Sequence, residues 1–487
     1  MKVTLLGTND RAGGAARAMF RLHRSLLEIG VDSRILCLNQ SSSLSDSSQV
    51  FEYRYNLFST RKFPFLSDLI DRNRTSLSNT LFSYSDISSD LANHPLILDA
   101  DVINLHWVNY FVSSEDIGKL LLLGKKIVWT LHDEWPFTGG CHYTSGCQGY
   151  LSNCFDCLQV TPDLSNLPKF VHLEKQKYFS SRIDLITPSE WLSKKASVSP
   201  FFSKSRIRVI ANSVESEWFA KFSKSDIREK FGYAEDCFLL GFGADSVSEI
   251  RKGLFYLLEA LEILLKKENW KKAFDSKKIA VVFFGNYQNK NKELDKIADY
   301  LGSFTKDVQV SEIYQMLDLF VIPSLEDNLP NTMLESMASG TPVLGFPIGG
   351  LAETIVHNQN GFLTRAISGE SLAEQIFDLW SNRSLLNKVG SVTSEYASKK
   401  FSMKKQAEEY RDFFLLDSGF RAYDLSEKGK ETAVDNEKLK QMEFQLKKTY
   451  NNFLKNSPLR KRILNLLFRS LKVNDFFLRR AKRKLSA

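Results

Sequence analysis

The sequence predicts an α/β protein of two Rossmann-like domains, each a parallel sheet flanked by helices, facing one another across a cleft. Three observations predict it. Short apolar runs alternate with helical patterns along most of the chain. Two glycine-marked helix starts, Gly13-Gly14 and Gly253, lie about 240 residues apart, as two βα units would place them. A length of 487 residues suits two domains and an appendage.

The elements follow in order. Val3–Gly7 reads as the first strand, and Gly13-Gly14-Ala15-Ala16 opens a helix that runs to Glu28 with Leu22, Leu26 and Leu27 on its buried side. Glycines at a helix start let a ligand approach the backbone and the positive helix end. Their spacing is not the dinucleotide fingerprint, which excludes a nicotinamide cofactor here. Ser33–Leu38 is a second strand. Residues 51–98 mix aromatics, Arg and Ser without clear period and lie where an acceptor could bind.

Asp101–Leu105 and Ile127–Leu131 read as buried strands, each followed by a histidine, His106 and His132, the latter with Asp133 beside it. Ligands of an open parallel sheet bind beyond the carboxyl ends of its strands, so these residues are candidates for chemistry. Cys141, Cys147, Cys154 and Cys157 then crowd into seventeen residues. One CxxC pair with a wider pair fits a closed structural zinc site, with disulfides or free thiols as the alternatives. Ile183–Thr187 and Ile207–Ile210 complete this half, and the boundary is expected near 215–235.

Cys237–Gly243 opens the second half. Arg251-Lys252-Gly253 precedes a long apolar-faced helix, Leu254–Leu265, and places Lys252 where a compact charge could meet a diphosphate. Ile279–Gly285 is the next strand, ending at Gly285. The most informative stretch is Val321–Thr354, VIPSLEDNLPNTMLESMASGTPVLGFPIGGLAET. Leu319–Ile322 is a buried strand. Asp327 and Asn328 read as helix-start residues, with Pro330 in the first turn. Gly340 and Pro342 stop the helix. Backbone N–H groups around Asn331 and Thr332 suit an anionic ligand, and the carboxylates Asp327 and Glu335 suit sugar hydroxyls.

Charge is unevenly spread. Net charge is +8, yet residues 458–487 carry ten Lys or Arg and one Asp, so the remainder sums to −1. The body is therefore no nucleic-acid binder by charge. In the tail, Ile463, Leu464, Leu467, Phe468 and Leu471 form an apolar stripe bordered by Arg and Lys. Such a basic amphipathic helix suits an anionic membrane surface. Residues 417–436 read as a linker and Lys438–Lys455 as a charged helix. No run of about 18 apolar residues appears, so no spanning helix is expected, and MKVTLLGT reads as too short and too soon polar for a signal peptide. A cytoplasmic protein, peripheral on the inner membrane, is expected.

The stretch Val321–Thr354 resembles the donor-sugar motif of the family-4 retaining glycosyltransferases (glycosyl transferases group 1). That motif has two carboxylates eight positions apart, a small-residue helix end, a Gly-Thr-Pro-Val strand and a Gly-Gly turn. Asp327 and Glu335 have the spacing, although the first acid is usually Glu, so Asp327 shortens the reach by one methylene. PSLEDNLPNT and the run WPFTGGCHYTSGC resemble the branch that builds bacterial surface polysaccharides, such as colanic acid, capsule and O-antigen.

The resemblance covers roughly residues 1–416 and implies the GT-B fold. It divides the chain into an acceptor domain at 1–215 with its Cys-rich loop 141–157, a donor domain at 216–400, a cross-over helix at 401–416, and the linker and tail at 417–487. It implies a nucleotide-diphosphate sugar as donor, with Gly13 and Gly14 across the cleft from the diphosphate. Lys252, Arg251, Asn331 and Thr332 would lie on that diphosphate. Gly285 would border the base, Glu335 would hold the ribose, and Asp327 and His132 would meet the sugar. No cofactor is implied for catalysis. The acceptor implied is a glycan, carried on a polyprenyl diphosphate. Two other readings stay open from sequence: a sugar-nucleotide epimerase of the same fold, and a non-enzymatic assembly protein.

Overall fold

The computed structural model describes residues 1–41, 49–55, 60–61, 66–288, 290–304, 306–416 and 436–456. Two parallel sheets organise it. The first has seven strands in the order Val50–Glu52, Asp32–Asn39, Lys2–Asn9, Val102–Leu105, Lys126–Thr130, Ile183–Thr187, Ile207–Val209. The second has six, in the order Asp299–Tyr300, Ile279–Asn286, Phe238–Ser246, Leu319–Ile322, Val343–Gly345, Phe362–Leu363. Within these sheets every strand pair is parallel.

Why these residues make strands is visible in burial. Val102–Leu105, Lys126–Thr130 and Leu319–Ile322 are buried along their whole length, as strands covered on both faces by helices must be. Each sheet separates two apolar layers. In the first, Leu6, Ile103 and Trp129 pack on one face, and Val3, Leu5 and Val128 on the other. In the second, Phe283 and Val321 face one layer, and Val282 and Phe320 the other.

The strand order reverses once in each sheet, between Lys2–Asn9 and Val102–Leu105, and between Phe238–Ser246 and Leu319–Ile322. Crevices at such reversals, beyond the carboxyl ends of the strands, are where open α/β sheets bind ligands. Both crevices face the same interdomain cleft, because Asn9, Gly13 and His106 from the first sheet's side and Ala244, Lys252 and Asp327–Thr332 from the second's all contribute to its walls.

The helix Met403–Leu415 lies on the first domain. Its Ala407, Tyr410, Phe413 and Phe414 join the layer around Met19 and Leu22, and Lys126 Nζ donates to the Phe413 carbonyl at 2.7 Å. The helix Asn436–Asn456 also returns to the first domain. Leu439, Met442, Leu446 and Tyr450 pack with Leu66, Phe82, Cys141 and Phe170. The basic stretch 458–487 and the linker 417–435 lie outside the described residues. No helix among the described residues is long and apolar enough to cross a membrane.

One consequence of the packing is an acid-sensitive fold. His23 is fully buried, with Nδ1 at 2.9 Å from Ser33 Oγ and Nε2 without a partner among the described residues. Burial pushes its pKa down to about 4. The unfolded chain takes up this proton near pH 6.5 while the fold refuses it, so stability is full above that pH and falls towards pH 4. Denaturant unfolding of His23→Gln should therefore lose less stability than the parent between pH 6.5 and 5, by roughly 2 kcal/mol. Parallel pH curves would contradict this.

Candidate functional site

The cleft encloses a cavity of about 620 Å³ lined from both domains. Its floor on the first-domain side is the turn before the helix Gly14–Glu28. Gly13 adopts φ +90°, and a Cβ there would meet only Asp245, 3.9 Å away across the cleft. The glycine pair thus leaves its space to the cavity. Asn331 Nδ2 reaches over and donates to the Gly14 carbonyl at 2.9 Å.

On the second domain, the turn Ile250–Lys252 ends at Gly253, whose φ of +73° is left-handed. A Cβ at Gly253 would fall 1.8 Å from the Pro323 carbonyl oxygen, so only glycine lets the two loops abut. Their contact brings Arg251 and Lys252 onto one carboxylate. Lys252 Nζ lies 2.7 Å and Arg251 Nη1 3.1 Å from Asp327 Oδ2. Arg251 also pairs with Glu249 at 3.2 Å, donates to the Glu326 carbonyl and lies 4.3 Å over the Tyr143 ring. Burial opposes the charge of Asp327, but Lys252 and Arg251 hold its pKa below the ordinary range. Arg251 is likewise buried, and Asp327, Tyr143 and Glu249 together outweigh that burial and hold it charged. Asp327 Oδ1 is left without a partner among the described residues.

The motif helix begins at Asn331 with Pro330 at its cap, and runs to Ala338. The expectation that Asp327 and Asn328 start it, with Pro330 in the first turn, is corrected here. Asp327 is taken by the two cations. Asn328 bridges the domains, accepting from Ser189 Oγ at 2.6 Å and donating to the Leu131 carbonyl. The Gly-Gly turn explains itself by the same loop. A Cβ at Gly350 would lie 1.8 Å from the Asn328 carbonyl oxygen, and Gly350 N–H donates to the Asp327 carbonyl.

Asn331 and Thr332 line the cavity; Glu335 does not. One turn further along, Glu335 faces the first-domain helix, where it is buried and bonded to Arg21 Nη2 at 2.9 Å, with Arg17 at 3.9 Å. Arg21 Nε meets Glu215 at 2.6 Å. Burial raises the Glu335 pKa and Arg21 only partly offsets it. The carboxylate read as a ribose contact is thus part of a buried interdomain clamp. Gly285 also stands off the cavity wall: its N–H donates to the Gly302 carbonyl and its carbonyl accepts from the Tyr300 hydroxyl.

The opposite wall carries the histidines. His106 and His132 stack with centroids 5.2 Å apart and bond through Nδ1 and Nε2 at 3.0 Å. Burial pushes the His132 pKa down to about 4 and holds the His106 pKa well below the ordinary histidine value, with His132 adding to the latter shift. Asp133 is a post for the wall. It accepts from Trp107 Nε1 at 2.9 Å and the Trp135 N–H at 3.0 Å, and lies 2.6 Å from His142 Nδ1.

The four cysteines Cys141, Cys147, Cys154 and Cys157 line a separate pocket of about 210 Å³ behind this wall. All are free thiols. Among the described residues, no three His, Cys, Asp or Glu side chains are placed to hold a metal ion. Burial raises the pKa of Cys141, Cys154 and Cys157, and the neighbouring cysteines raise each further.

Sequence reasoning did not single out Glu249 or Arg21, and it gave Asn328 only a helix-start role. Asn328 stood beside a chosen carboxylate; Arg21 had no local signal beyond a charge on the apolar side of its helix.

Residues 239–382 match the family described as Glycosyl transferases group 1. WcaC of Escherichia coli K12, named for colanic acid biosynthesis glycosyl transfer, is 22% identical over 82% of this chain and 96% of its own. The capsular polysaccharide biosynthesis glycosyltransferase CapM of Staphylococcus aureus is 24% identical over 48% of this chain and 63% of its own. The Anabaena protein HepE, solved with UDP, superposes with a TM-score of 0.57 at 15% identity, covering 85% of this chain and 99% of its own. The second domain is thus a glycosyl transferases group 1 domain, and the chain that carries it is a glycosyltransferase built on the GT-B fold.

Proposed function

We propose that the chain is a retaining glycosyltransferase. It moves a sugar from a nucleotide-diphosphate sugar to a glycan carried on a polyprenyl diphosphate, during surface polysaccharide synthesis at the cytoplasmic membrane face. The observation that carries this reading is the pairing of Arg251 and Lys252 at the start of the helix Asn331–Ala338, at the edge of a cavity shared by both domains. Two cations and a helix N-terminus suit a diphosphate leaving group. HepE has been solved with UDP-glucose as well as UDP, and WcaC and CapM are named for polysaccharide synthesis. The basic stretch 458–487 supports an anionic membrane surface as docking partner.

In this reading the donor diphosphate takes Lys252 from Asp327, and Asp327 turns its unpartnered oxygen to a sugar hydroxyl. The bond from the anomeric carbon to the diphosphate breaks as the acceptor oxygen arrives on the same face. The acceptor proton passes to the departing phosphate oxygen. Asp133, the carboxylate on the facing wall, already holds three donors, which supports transfer without a carboxylate nucleophile there.

The test is product analysis with α-linked UDP-, GDP- and ADP-sugars and polyprenyl-diphosphate glycans. Nucleoside diphosphate release matched by an α-linked product is expected. An inverted product, or no release with any donor, would contradict the reading.

A further inference from the structure

Asn104 is a polar side chain in the middle of the buried strand Val102–Leu105, and it is completely shielded from solvent. Its Nδ2 lies 3.1 Å from the Val128 carbonyl and 3.1 Å from Thr130 Oγ1. A carbonyl oxygen only accepts, so this end of the amide must be the NH2 group and the other end the oxygen. That oxygen faces His106 Nε2 at 3.0 Å. An amide oxygen only accepts as well, so His106 Nε2 carries a proton.

Burial keeps both histidines neutral, with one ring proton each. With its proton on Nε2, His106 presents a bare Nδ1 to His132 Nε2 at 3.0 Å. His132 must then donate there, which leaves its own Nδ1 bare. The assignment passes along the chain of bonds without a free choice at any step.

We infer that Asn104 is a positioning residue that fixes, through His106, the tautomer in which His132 offers the cavity a hydrogen-bond acceptor at Nδ1. The inference rests on the proposed reading of the cleft as the transfer site. His132 borders the cavity, and Nδ1 has no partner among the described residues. Its ligand is therefore a hydroxyl of the bound sugar or of the incoming glycan, held as a donor. The sequence resemblance implied only that His132 meets the sugar; the bonding chain makes it the acceptor in that contact. A deoxy sugar at that position would leave His132 unpaired, so the same atom discriminates among donors.

Nitrogen-15 NMR of the histidine side chains tests this without any turnover. His132 is assigned by the signal lost in His132→Gln. In the parent protein, His132 is expected to show a protonated Nε2 and a bare Nδ1 as one tautomer. In Asn104→Leu, which keeps the volume but removes the acceptor, both tautomers are expected. Its kcat should fall up to about tenfold, the worth of one hydrogen bond, with donor KM nearly unchanged. A proton on His132 Nδ1 in the parent overturns the inference, as does an unchanged single tautomer in folded Asn104→Leu. Because the tautomer is read in the free protein, a failure here differs from a failure to transfer sugar.

Discussion

Lys252→Ala is expected to lower kcat by about two to three orders of magnitude while leaving the fold nearly as stable as before. The rate effect follows from where the charge acts. A departing diphosphate gains negative charge in the transition state, and a fixed cation in a water-poor cleft stabilises that charge by several kcal/mol. The stability expectation follows from the partners. Asp327 keeps Arg251 at 3.1 Å when Lys252 is removed, so no carboxylate is left buried and alone. Steady-state kinetics and thermal unfolding check the two halves separately. Turnover close to the parent's would remove Lys252 from the leaving-group site. A large loss of stability would make its role structural instead.

Arg21→Leu should do the reverse, destabilising the protein by about 3–5 kcal/mol, because it strips the cation from two buried carboxylates. Glu335 lies 2.9 Å and Glu215 2.6 Å from the Arg21 guanidinium, and all three are buried. Glu335 already sits above its ordinary pKa through burial, so without Arg21 it must protonate or draw in water. Adding Glu335→Gln should recover part of the loss, since a neutral amide is easier to bury. Denaturant unfolding of the single and double variants measures it. Equal stability of Arg21→Leu and the parent would mean that the clamp is open in solution.

The two sheets were legible because their strands are apolar runs that end in Gly, Pro or His at the cleft. Ile322-Pro323 and Leu105-His106 show this directly. The central motif was legible as a strand, loop and helix, yet the destinations of its carboxylates were not. Asp327 and Glu335 are eight positions apart, but the helix begins only at Asn331, so the two face different neighbours. Only the fold reveals that Arg21, more than three hundred residues away in sequence, meets Glu335. The helix Arg383–Lys400 escaped the sequence reading because its face is largely polar, with Leu386, Val389, Thr393 and Ala397 as its buried residues. Asn104 did carry a signal, a lone amide inside the apolar run Val102–Leu105. Its meaning needs the neighbouring strand, which supplies Val128 and Thr130.

The helix Asn436–Asn456 was legible as a helix and not as a part of the first domain. Its apolar positions 439, 442, 446 and 450 recur at helical spacing, but the surface they cover comes from residues 66–171. That surface includes Phe82 and Cys141, directly behind the cavity wall formed by Leu81 and His142.

The central claim is that the interdomain cleft binds a nucleotide diphosphate against Arg251 and Lys252. Calorimetric titration of UDP, GDP and ADP into the parent protein and into Lys252→Ala tests it most directly. At least one nucleotide is expected to bind the parent in the micromolar range, and to bind Lys252→Ala at least about tenfold more weakly. Binding of none of them, or equal binding by both proteins, would contradict the account.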